Sequence, residues 1–228
     1  MALPPRNRPH LHIAGGGQNE PYTSPRLTIR GLPPARARAA HAAKLKQAVD
    51  QAIEQARARI AAREDGVAEG TQGFYLQFEL PIEHQHVVDS LENKPKSIEL
   101  VAVQPPAEGA DTISATVFVP ERAADFFDKR IEAYRDEETK SGKPKNEALI
   151  ARIDNVQLAA ARSLFTDEEA SFPAAGVPTW WEVWLRDGRL ATFKTVADRL
   201  NIATKTHTIS FPERDVILAL ADLATMNG

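Results

Sequence analysis

Cysteine is absent from all 228 residues. That removes disulfides, thiolate catalysis and cysteine-based zinc sites, and it suits a reducing compartment. Long apolar runs are missing too. No stretch approaches the roughly 20 residues of a membrane-spanning helix. The N-terminal MALPPRNRPHLHIAGGG has no apolar centre of secretory type. A cytoplasmic location is expected. Neither sign of charge is in excess: 28 Lys+Arg against 31 Asp+Glu give a net charge of −3. The whole chain therefore carries no nucleic-acid footprint.

Catalytic signatures are equally scarce. No serine sits in a G-x-S-x-G elbow, and no Ser/His/Asp constellation can be assembled. Ser114 and Ser210 read as strand residues. The histidines fall in pairs, His10 with His12 and His84 with His86, but no third metal ligand is placed beside either pair. The run Gly15–Gly16–Gly17 lacks the Lys-Ser/Thr that completes a phosphate-binding loop. No enzyme activity, no cofactor and no metal site are expected for this chain.

What the chain does contain is one pattern written twice. The first copy runs from Gly73 to about Glu121: GFYLQFELP, HVVDSLEN, KSIELVAVQPP, then DTISATVFVPE. The second begins at Thr179: TWWEVWLR, LATFKTVADRLN, TKTHTISFPE, then RDVILALAD. Each reads strand–helix–strand–strand. The fold class is therefore α+β, with two ferredoxin-like βαββ units, the second incomplete at its C-terminus. A helix from Arg122 to about Glu138 follows the first unit, burying Phe127, Ile131 and Tyr134. Asn146 is the expected N-cap of a further helix to about Phe165, with Leu149, Ile153, Val156, Ala160 and Leu164 on one side.

Ahead of the units, residues 1–33 are rich in Pro, Gly and Arg and are expected to be irregular, apart from a short extended piece at His10–Ile13. A long basic helix follows within residues 34–72. It starts near Pro34 and is stopped by Gly66 and Gly70. Its apolar stripe is narrow: Leu45, Val49, Ile53 and Ile60, with Ala56 between. Such a helix should pack closely against something or project as an arm. From Arg26 to Arg63 only Asp50 and Glu54 interrupt the basic residues. No aromatic residue lies in that stretch, so base stacking has no support and nucleic acid is not an expected partner. The first unit with its extra helix spans 73–165, a linker 166–178, and the second unit 179–228.

Strict alternation decides the faces of the leading strands. In the first unit Phe74, Leu76, Phe78 and Leu80 share one face, and Tyr75, Gln77 and Glu79 the other. In the second, Trp181, Val183 and Leu185 oppose Trp180, Glu182 and Trp184. By analogy the glutamate-bearing side is the open face. Two large aromatics would then lie in water beside Glu182. Tryptophan is costly to expose and is enriched at interface hot spots. Trp180, Glu182 and Trp184 are the candidate protein-interface residues. The bland alternative places both rings under the linker or against the first unit.

Three segments, PHLHIAGGGQNEPYTSPR, DKRIEAYRDEETKSGKPKNEALIARID and WWEVWLRDG, together resemble the amino-terminal region of large bacterial subtilisin-like serine peptidases. These are the peptidases found beside an AAA-type ATPase and linked with phage defence. The catalytic motifs of that family, D-T/S-G, H-G-T and G-T-S-M-A, do not occur here, so no catalytic residue carries over. The resemblance implies a non-catalytic, propeptide-like region that docks the open face of a ferredoxin-like sheet on a peptidase domain, with an ATPase as a further partner. A free-standing inhibitor or adaptor of the same fold is the alternative expectation. No membrane partner is expected.

Overall fold

Alternation along Gly73–Pro81 (β1) sets the centre of the molecule: Phe74, Leu76, Phe78 and Leu80 are buried, while Tyr75, Gln77 and Glu79 are half-buried. A computed structural model describes residues 34–62, 73–107, 109–167 and 169–227. Residues 1–33 and 63–72 lie outside them, and with them the His10/His12 pair, the extended piece at His10–Ile13, the glycine run at 15–17 and the helix-ending Gly66 and Gly70.

The structure is α+β, with a long N-terminal helix, two antiparallel sheets and several shorter helices. Strand β1 pairs antiparallel with Thr112–Pro120 (β3) on one side and Asn155–Leu158 (β4) on the other. Glu99–Gln104 (β2) completes the sheet in the order β2-β3-β1-β4. At Gly73 the partner strand comes so close that a Cβ would lie 2.2 Å from the Val119 carbonyl oxygen, which only glycine tolerates.

Three expectations are corrected in this unit. The segment around HVVDSLEN is a 3-10 helix, Ile82–Leu91, which still buries His84, Val87, Val88 and Leu91 at helical spacing. The helix expected from Arg122 starts at Phe126 and ends at Asp136 (α2), after a 3-10 turn at Glu121–Ala123. The helix expected from Asn146 to Phe165 is broken into three. Glu147–Ile150 (α3) and Ala161–Leu164 (α4) flank the strand β4. Asn146 adopts φ 58° and caps nothing with its side chain, which instead donates to the Arg130 carbonyl at 3.3 Å. With β4 in place, the first unit has the full β-α-β-β-α-β element order of a ferredoxin-like fold.

The long helix spans Arg38–Ala61 (α1) and packs on β4 and α2. It buries Ala42, Leu45, Val49, Ala52, Ile53 and Ala56 in the same core as the sheet, while Ile60 is half-buried. The alanines let its backbone approach closely, so the weakly apolar stripe is still buried. Basic residues at its start and along it turn to intramolecular partners. Arg36 pairs with Asp154, and Arg38 donates to the Tyr134 and Glu137 carbonyls at the end of α2. Arg57 pairs with Glu121 at 2.5 Å. Cations at a helix C-terminus also complement its dipole.

The second sheet has the order β5-β7-β6. It is built from Thr179–Arg186 (β5), Ala203–Ser210 (β6) and Arg214–Ala221 (β7), with Leu190–Arg199 (α5) crossing between β5 and β6. Helix α5 buries Ala197 and half-buries Leu190, Phe193 and Val196. Leu200 lies just past the helix end and is exposed. The short helix Leu223–Asn227 (α6) follows β7.

Side chains from the second unit grip the first. Arg186, the last residue of β5, forks onto Glu99 with contacts of 2.5 to 3.1 Å, and Arg214 adds a bond at 3.1 Å. The Arg186 guanidinium also lies 3.9 Å from the centroid of the Phe118 ring. Burial works to raise the Glu99 carboxyl, but the two guanidinium groups outweigh it and hold it below the usual range. A second bridge is aromatic: Phe165 meets Phe172, and Phe172 meets Trp181, edge to face at 5.1 and 6.2 Å.

Candidate docking face

Register in the second sheet decides which side chains share a surface. Trp180 stands opposite Leu220, Glu182 opposite Leu218 and Trp184 opposite Val216, and Val216 is opposite Ile209 on the far strand. Residues directly opposite in an antiparallel pair point the same way. One face thus gathers Trp180, Trp184, Leu218 and Ile209, with Phe211 just beyond β6. Their exposures are 43%, 57%, 38%, 61% and 50%. The other face holds Trp181, Ile217, Ala219 and Ala221, all buried. Five exposed large apolar residues on one side of a small sheet exceed the scattered singles normal for a surface.

The three residues singled out from the sequence are brought together. The Trp184 indole N–H donates to Glu182 Oε1 at 2.7 Å, and its ring stacks on Phe211 with centroids 5.6 Å apart and planes 6° from parallel. Lys205 Nζ lies 4.4 Å from the centroid of the Trp180 ring, a cation–π contact. These contacts fix both rings without covering them. Linker residue Phe172 lies against Trp181, on the opposite face. Ile209, Phe211 and Leu218 are not singled out by the sequence pattern. Strand β7 reads VILALA, apolar on both faces, so its pattern hides which side is open.

A different feature lies between α1 and α2. A cleft of about 330 Å³ is lined by Asp50, Ile53, Glu54, Arg57, Ala124, Asp125 and Asp128. Burial, then the neighbouring Asp50 carboxylate, push the Asp128 carboxyl up to about 6, against the pull of Lys46 at 3.7 Å. Among the described residues no group of three or more His, Cys, Asp or Glu is arranged to hold a metal ion.

The raised Asp128 makes a pH prediction. Its folded value lies above the ordinary 3.8, so its contribution to stability is complete below pH 3.8 and is lost as pH rises through about 6. Asp128→Asn should leave stability at pH 4 close to the parent and raise it at pH 8. With solvent screening at this partly open site, the gain at pH 8 is about 1–2 kcal/mol. Urea unfolding of both proteins at the two pH values measures it, and an equal shift at both would contradict it.

The remaining histidine pair lies in the 3-10 helix. His84 is fully buried, with its ring 6.2 Å from that of His86. Burial, then the Arg152 charge, hold it below the usual imidazole value. Ser114 and Ser210 are strand residues in β3 and β6. Ser114 accepts from Gln77 at 2.9 Å, and Ser210 donates to Asp215 at 2.6 Å.

Among the described residues, no helix is long and apolar enough to cross a membrane. Comparison with curated proteins and with solved structures finds no match. One family model matches, the Y4kK N-terminal domain, over residues 39–160. The match begins in α1 and ends just after β4, so the aromatic face lies outside it. Since it covers more than half of the 228 residues, the chain belongs to the Y4kK N-terminal domain family.

Proposed function

We propose that this chain is a non-catalytic docking and regulatory region of a cytoplasmic subtilisin-like serine peptidase. It works by burying the open face of its second sheet on the peptidase domain. The observation that carries the docking role is the exposed apolar face built from Trp180, Trp184, Ile209, Phe211 and Leu218. Removing each tryptophan ring from water contributes on the order of 2–3 kcal/mol. Glu182 and Lys205 supply polar anchors at its edges. The peptidase as partner, and an AAA-type ATPase acting with it in anti-phage defence, follow from the sequence resemblance.

The test is the double variant Trp180→Ala with Trp184→Ala, titrated calorimetrically against the cognate peptidase domain. Because both rings are exposed, the circular dichroism spectrum and melting temperature should stay near the parent. Affinity should fall by about tenfold or more, as hot-spot aromatics do on truncation. Unchanged affinity would remove the docking role from this face. Loss of folding would assign both rings to the core.

A further inference from the structure

Exposed sheet edges invite pairing, and proteins blunt them with short strands, bulges, charges or a covering element. The described residues contain four such edges. Strand β2 carries a register shift between Leu100 and Ala102. Strand β4 is only four residues long and lies under α1. Strand β6 is broken by a shift between Thr204 and Thr208, and it presents Lys205 and His207 to solvent. Strand β5 is neither short nor bulged, and its two charges, Glu182 and Arg186, are of opposite sign. All eight of its residues pair with β7 in unbroken register. Its sequence TWWEVWLR is rich in aromatic and β-branched residues and contains no Pro, Gly or Lys.

The first unit shows what such an edge takes. There, β4 lies antiparallel on the free side of the leading strand, with Phe78 opposite Val156 and Leu76 opposite Leu158. In the second unit the same side of the leading strand has no partner among the described residues.

The β5 sequence is complementary to itself when run antiparallel. Centred on Val183, it sets Trp180 opposite Arg186, Trp181 opposite Leu185 and Glu182 opposite Trp184, with no like charges facing. Centring on Glu182 would oppose two carboxylates, which destabilises a pair. Centring on Trp184 shortens the ladder to residues 182–186. Pairing odd with even positions would set the aromatic face of one copy beside the helix-covered face of the other.

We propose that the free edge of β5 is a homotypic pairing edge, where two copies of this chain join β5 to β5, antiparallel, with the dyad at Val183. The product is one continuous sheet with both aromatic faces on the same side. It does not require the docking role of that face.

The absence of native cysteine makes a clean test possible. Val183→Cys places two thiols at the dyad, whereas Thr206→Cys places one on the exposed far strand β6. Under mild oxidation, Val183→Cys should form a covalent dimer at least about tenfold faster, because only paired strands hold Cβ atoms near the roughly 4 Å that a disulfide needs. Sedimentation equilibrium of the parent should show a dimer at a protein concentration of about 100 µM, equivalent to only about 5–6 kcal/mol of association. A monomer at that concentration, or equal cross-linking of the two cysteine variants, would overturn the proposal. The cross-link should also survive in Trp180→Ala/Trp184→Ala. Its loss there would overturn edge pairing in favour of association through the aromatic faces.

Discussion

Truncating Phe78 to alanine is expected to cost the first unit about 3–5 kcal/mol, the usual range for emptying a fully buried aromatic site. Phe78 is 1% exposed at the middle of β1, and its ring packs 4.7 Å from that of Phe127 on α2. It stands between Ala115 of β3 and Val156 of β4 in the paired register. Its loss therefore opens a cavity where three strands and a helix meet. The melting temperature of this unit should drop by about 10 °C or more. Amide protons of β1 and β3 should exchange faster, which hydrogen-exchange mass spectrometry would show. A drop of only a degree or two would mean that Phe127 and its neighbours collapse into the space.

Replacing Glu99 by alanine is the second large effect, and it acts between the units. Arg186 and Arg214 stand directly opposite each other across β5 and β7, an arrangement of like charges that is unfavourable by itself. Glu99 accepts from both and cancels that repulsion. All three side chains are between 22% and 29% exposed, so the charges are only partly solvated. Removing the carboxylate leaves two guanidinium groups facing each other, at a cost of about 2–3 kcal/mol in coupling between the units. Differential scanning calorimetry should resolve two transitions where the parent gives one. Limited proteolysis should cut within residues 166–178. A single unshifted transition would contradict the clasp. The depressed Glu99 carboxyl adds a pH signature. Its contribution is complete above the ordinary value of 4.5 and is lost as pH falls through its lower folded value.

Strict two-residue alternation makes β1 and β5 legible in the sequence, and it separates Trp180 and Trp184 from Trp181. The segment 146–165 misleads for a physical reason. Leu149, Ile153, Val156, Ala160 and Leu164 fall at helical spacing by accident. A four-residue strand offers only two periods of alternation to set against it. Strand β4 exists because β1 has a free side to fill, which local sequence does not encode. The Glu99 clasp is equally hidden, since its partners lie 87 and 115 residues away along the chain. The long helix can be placed from sequence, but not its destination. Its alanine-rich stripe becomes a core face only when β4 and α2 meet it.

That meeting has a consequence for how the protein is made. Helix α1 leaves the ribosome early, yet Arg36 waits 118 residues for Asp154, and α1 cannot close on β4 until Leu158 has emerged. Strand β1 likewise stays open on one side until then. At roughly 5–20 residues per second, that interval lasts several seconds to tens of seconds. During it the apolar residues of β1 and α1 are exposed on the nascent chain. The second unit, with its strands consecutive and close in sequence, has no such delay. Translation speed through residues 62–158 should therefore govern the yield of correctly folded protein far more than speed through the remaining C-terminal stretch.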